Sequence, residues 1–141
     1  MNARGRRKGR SAAGLQRWGL RLWASPTTLV GLVFGLLLLP FGARMRIVNG
    51  VIEIAARRTP PRRRWPFTAI TFGHVVLGTH AGELQRLRAH ERVHVRQCER
   101  WGPLFLPAYL LAGVWQWVRG RDAYWDNPFE VEARRVGEQE V

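Results

Sequence analysis

Residues 90–94 read His-Glu-Arg-Val-His, and no other part of the chain restricts its conformation as tightly. Residues four apart share one face of an α-helix. Both imidazoles can therefore reach a single Zn²⁺, at about 2.0–2.1 Å each, only if this segment is helical. Glu91, one position past the first histidine, is placed to act on water at the metal's open position rather than to bind the metal. That is the general-base arrangement of a metalloprotease. The surrounding sequence supports the helix, because no Pro or Gly occurs between Glu83 and Trp101. Leu84, Leu87, His90, His94, Cys98 and Trp101 recur at steps of three and four, while Arg86, Arg88, Arg92, Arg96 and Arg100 fall outside that stripe. The pattern predicts an amphipathic helix whose buried stripe carries both histidines. A metal ligand belongs inward, where it can be oriented and partly shielded from water. Gly102-Pro103 marks the helix end.

A catalytic zinc site takes three protein ligands and leaves a fourth position open. No histidine follows His94, so the third ligand falls to a downstream carboxylate. Within Asp126-Asn127-Pro128-Phe129-Glu130-Val131-Glu132-Ala133, Asn127 reads as an N-cap and Pro128 as the first residue of a short helix. Glu130 stands three after the cap, where it can complete the metal site or serve as a capping-box carboxylate. Glu132, on another face of the same helix, is the alternative ligand.

His90-Glu91-x-x-His94 followed by a glutamate on a second helix resembles the gluzincin branch of zinc metallopeptidases. There a Glu-x-x-Ala segment supplies the third ligand, and Glu130 with Ala133 matches it. The acidic residue often found four after the ligand is replaced here by Arg134. More narrowly, HERVHVRQCERWGPLFLPAYLL followed by YWDNPFEVEAR resembles small bacterial membrane-associated proteins with the same signature. The likeness covers about Trp65 to Arg135. It implies a small zincin-like domain over 44–141, with His90, His94 and Glu130 binding Zn²⁺, Glu91 as catalytic base, and a peptide or protein as substrate.

The net charge of +13 is unevenly distributed: residues 1–64 hold 14 Arg/Lys and one acid, residues 65–141 nine Arg and nine Asp/Glu. Between the basic blocks, Leu22 to Ala43 is free of charge. Twenty-two residues rise about 33 Å as a helix, enough for a hydrocarbon core of about 30 Å, and Trp18 and Trp23 sit where interfacial anchors belong. The reading is a basic tail (1–21), a membrane anchor helix (22–43) and the domain, in a bacterial inner membrane. Seven cations lie before the run and seven soon after it, so charge asymmetry fixes no orientation. Both clusters suit anionic headgroups. No nucleic-acid reader motif accompanies them, which argues against that class of partner.

Arg44–Ile47 and Val51–Ala56 flanking Asn49-Gly50 form a hairpin signal, followed by a Pro/Arg-rich loop over 57–66. Phe67–Leu77 reads as one strand beside the motif helix, placed to bind an extended peptide by strand addition. His74 and His80 are either further ligands or donors, or ordinary structure. Leu104–Val118 is a second apolar segment, too short to span, read as a core or membrane-interface helix. Tyr109 and Tyr124 are the candidate phenols for a developing oxyanion. Cys98, the single cysteine, forms no intrachain disulfide and reads as a small buried hydrophobe rather than a ligand. The expected fold is α+β, with a small antiparallel sheet, the HExxH helix, a second apolar helix and a short C-terminal ligand helix. The alternative in another functional class is a non-catalytic membrane-associated protein with a structural metal site or none.

Overall fold

The computed structural model describes residues 17–57 and 68–140. Most of the basic tail and most of the Pro/Arg-rich loop lie outside them. Among the described residues the fold is α+β, with the helical segment Arg17–Trp23, four further α-helices and one four-stranded sheet.

The expected hairpin forms β1 (Arg44–Val48) and β2 (Val51–Ala55), paired antiparallel from Val48↔Val51. Asn49 and Gly50 both hold positive φ, at 52° and 81°, as a two-residue turn of this hand requires. The single strand expected over Phe67–Leu77 is instead a second hairpin. β3 (Ala69–Phe72) turns at Gly73-His74 into β4 (Val75–Gly78). Gly73 is the break, since its φ of 60° takes the chain out of extended geometry. β2 and β4 then pair parallel, giving the order β1-β2-β4-β3. The sheet is thus mixed rather than wholly antiparallel, with β1 and β3 at its edges.

Strand alternation gives the sheet two covered faces. Ala55 and Val76 meet Leu84 and Val95 of α2 (Ala81–Trp101). Phe72, Val75, Ile54 and Leu77 face α1 (Ser25–Leu38) through Gly31 and Gly35. A Cβ on Gly31 would stand 2.7 Å from that of Phe72 and 2.8 Å from that of Val75, so only glycine permits this approach. The apolar run is therefore a layer of the domain on its Thr27-Gly31-Gly35 side, while Leu29, Val33, Phe34, Leu36 and Leu37 stay exposed on the other.

Nor is the run one straight helix. Arg17–Trp23 and Ser25–Phe41 meet at a bend of 61°. Pro26 cannot donate a backbone hydrogen bond to Leu22, and the Ser25 hydroxyl donates to that carbonyl instead at 2.7 Å. No single helix among the described residues is long and apolar enough to cross a membrane; the bent pair has the length and composition only when taken together.

α2 begins two residues before the expected Glu83, capped by His80, whose Nδ1 accepts from the Gly82 N–H at 3.1 Å. It ends at Trp101, where Gly102 takes φ 57° and its bare Cα lies against the Trp23 ring. After one 3₁₀ turn come α3 (Phe105–Val118) and then α4 (Pro128–Gly137). Asn127 caps α4 as the sequence predicts, its side chain accepting from the Phe129 N–H at 3.1 Å. α4 lies along α2 on a stripe of Glu130, Ala133 and Gly137, all buried. Gly137 comes so near the backbone of His90 that a Cβ would sit 3.0 Å from it. Small residues at those positions bring the short helix close enough for Glu130 to reach the histidines.

Candidate metal centre

His90 and His94, one turn apart on α2, aim their Nε2 atoms into the same space, 3.1 Å from each other. Glu130 reaches over from α4. Its Oε1 lies 3.3 Å from His94 Nε2, and its Oε2 lies 3.2 Å from His90 Nε2. These three residues form a group able to hold a metal ion. Two features of the group favour a cation. Glu130 Oε2 is buried and makes no hydrogen bond, an arrangement that is costly for a carboxylate oxygen. The two imidazole nitrogens also converge on the same carboxylate, so when both rings present their Nε2 lone pairs a cation between them is what would satisfy all three groups.

The surrounding residues fix the ligand atoms. The Gln97 amide nitrogen donates to the Phe129 carbonyl at 3.0 Å and to Glu132 Oε2 at 2.8 Å. Its oxygen is left to face His94 Nδ1 at 2.8 Å. Nδ1 must then carry the ring proton, and the lone pair of Nε2 points into the group. Tyr109 donates its phenol hydrogen to Glu130 Oε1 at 2.6 Å. Asn127 Nδ2 donates to the Tyr109 carbonyl at 3.1 Å, so the cap of α4 also holds α3. Glu91 is buried and accepts from the Thr71 hydroxyl of β3 at 2.7 Å.

The electrostatics follow this packing. Burial alone would raise the Glu130 carboxyl, but the adjoining His90 and His94 rings and the Tyr109 phenol hold it well below the usual carboxylate range. Burial would lower His94, and the carboxylates of Glu130 and Glu91 more than offset it, so its pKa is raised. Burial, then the charge of Glu130, pushes Tyr124 up to about 12; burial and Glu130 likewise raise Tyr109. Both phenols keep their protons at neutral pH.

Of the residues singled out from sequence, His90, His94 and Glu130 come together, with Glu91 beside them. The capping-box role for Glu130 is not realised, because the Asn127 N–H donates to the Tyr124 carbonyl instead. Glu132 points away from the histidines to Gln97 and Arg100. His80 is a helix cap. His74 binds Glu99 at 3.0 Å and the Thr28 hydroxyl through its backbone. Cys98 is fully buried with Ala24 and Phe105, and burial pushes its thiol up to about 12. Tyr109 donates to Glu130, and Tyr124 also stands against the same carboxylate. Gln97 and Thr71 went unnoticed in the sequence. Gln97 had a signal, three residues past His94 on the same helix; Thr71 had none, since its contact crosses from sheet to helix.

No family model, curated protein or solved structure matches this chain.

Proposed function

We propose that the protein is a membrane-anchored, zinc-dependent hydrolase acting on peptide bonds, with His90, His94 and Glu130 as the ligands of Zn²⁺ and Glu91 as the general base. The observation that carries this is the convergence of two imidazole nitrogens and one carboxylate: His90 Nε2 and His94 Nε2 are 3.1 Å apart, with Glu130 Oε2 3.2 Å from the first and Oε1 3.3 Å from the second. Ligands about 2.0–2.1 Å from a tetrahedral zinc stand about 3.3 Å apart; the two imidazole nitrogens are near that separation, and one donor atom from each of the three residues lies within 4.8 Å of the others. Structural zinc sites take four protein ligands, whereas the group found among the described residues supplies three. That count favours an open, catalytic position over a purely structural one.

When bound, the metal lowers the pKa of water and polarises a carbonyl oxygen. The chain's own residues do the rest. Glu91, steadied by Thr71, accepts a proton from the attacking water and can pass it to the leaving amine. Gln97 and Glu132 hold His94 in its ligating tautomer. Tyr109 fixes Glu130. Tyr124, whose phenol stays protonated beside Glu130, is the candidate donor for a developing oxyanion. β3, an edge strand carrying Thr71, offers a backbone edge along which an extended peptide can lie. The anchor is the 17–41 region, whose exposed apolar side chains and flanking Arg17, Trp18, Arg21 and Trp23 suit a bilayer boundary.

The test is zinc per chain by elemental analysis, with hydrolysis of a fluorogenic peptide library, on detergent-purified wild type, Glu91→Gln, His94→Ala, Glu130→Ala and Glu132→Ala. About one zinc per chain is expected, lost with His94→Ala or Glu130→Ala and retained in Glu132→Ala. Glu91→Gln should keep the metal and lose hydrolysis. If Glu91→Gln hydrolyses peptides as well as wild type, the catalytic reading fails. If the folded wild type takes up no zinc when supplied with it, the metal reading fails too.

A further inference from the structure

We infer that the outer face of α3 is a second lipid-binding surface, immersed in one leaflet of an anionic bilayer and independent of the 17–41 anchor. α3 is apolar on both sides, but only one side is used by the protein. Phe105 and Gly113 are its only buried residues, with Tyr109 turned inward to Glu130. Leu110, Leu111, Val114, Trp115, Trp117 and Val118 are each more than half exposed. At about 100° per residue these six occupy an arc of about 160°, and no polar side chain interrupts them.

A soluble partner or a second copy fits this face poorly. Protein interfaces carry roughly one hydrogen bond per 100–200 Å² and a polar rim, and this arc offers no side-chain donor beyond its indole N–H groups. A bilayer requires none. The end of the helix has the composition of a headgroup boundary: Trp115 and Trp117, then Arg119 and Arg121, with Trp125 exposed in the next turn. The Arg119 guanidinium stands over the Trp115 ring at 5.9 Å. Indoles favour that boundary, and arginines there meet anionic lipid phosphates. Fourteen residues rise about 21 Å, less than the hydrocarbon core of about 30 Å. α3 is therefore too short to cross and lies within one leaflet. Its inner side bears Tyr109, which donates to Glu130, so the helix that meets the lipid also touches the candidate metal centre.

Site-directed spin labelling tests this on the full chain, bound to vesicles of phosphatidylcholine and phosphatidylglycerol. Cys98 is fully buried, so the wild-type chain serves as the unlabelled control, and labels go on Leu111→Cys, Val114→Cys and Arg121→Cys. At positions 111 and 114 oxygen should relax the nitroxide more than a water-soluble nickel chelate does, with the order reversed at 121. Greater access of the chelate than of oxygen at 111 and 114 would overturn the proposal. Low access of both agents there would mean a protein cover, and dipolar broadening between labels would identify that cover as a second copy of the chain; either result also overturns it.

Discussion

Because both hydrogens of the Gln97 amide are spent on Phe129 and Glu132, its oxygen faces His94, and this sets the tautomer of a candidate ligand that the motif itself leaves free. Gln97→Leu should therefore lower zinc affinity by about 10–100-fold, measured by competition with a colorimetric chelator; an unchanged affinity would remove Gln97 from the centre. Thr71 plays the corresponding part for Glu91. Thr71→Val keeps the shape but withdraws the hydroxyl that donates to a buried carboxylate. The expected cost is about 1.5–3 kcal/mol of stability, read from urea unfolding, with zinc content unchanged. The spacing of Gln97 from His94 was visible in the sequence, but it did not specify the role, and Thr71 carried no signal. A glutamine three past a histidine is common on any helix, and the Thr71 contact exists only because the second hairpin lays β3 along α2.

Glu53 shows how elements are tied together away from the centre. It is buried in β2, receives Arg46 from β1 at 3.0 Å, and receives Arg88 from α2 at 2.7 Å. Burial pushes its carboxyl up, but Arg88 and then Arg46 outweigh this and hold it below its ordinary value of 4.5. A carboxyl that ionises more readily in the folded state stabilises fully above its unfolded pKa and loses that contribution as pH falls through the folded value. Unfolding followed by circular dichroism should show stability declining below about pH 4.5, with a shallower decline in Glu53→Gln. An identical acid profile in the variant would mean other carboxylates dominate. α1 illustrates the limit of reading an element from composition. Its lack of charge and its flanking arginines were legible, but the glycine stripe that seats one side on the sheet acquires meaning only once Phe72, Val75 and Ile54 are opposite it.

At the scale of the whole molecule, the two histidines stand on α2 and the glutamate on α4, so a bound ion would cross-link the segments on either side of α3. Removing zinc with a chelator should lower the melting temperature and speed amide exchange in Pro128–Gly137 before it does so in the sheet. A site occupied at 100 times its dissociation constant contributes about 2.7 kcal/mol. Equal exchange across α4 with and without metal would show that its packing on α2 stands alone.

The sequence by itself determined the local features. These are the helix carrying His90, Glu91 and His94, the Asn127-Pro128 start of α4, the Asn49-Gly50 turn and the apolar character of residues 22–43 and 104–118, because periodicity, caps and turn chemistry act over a few residues. Only the tertiary structure shows that Glu130, and not Glu132, faces the two histidines. Both lie on one short helix, and the choice rests on which face Ala133 and Gly137 allow against His90. The parallel pairing of β2 with β4, the bend at Ala24 and the packing of α1 on the sheet were decided there too. Each depends on contacts between residues far apart in the chain, where no local preference distinguishes one partner from another.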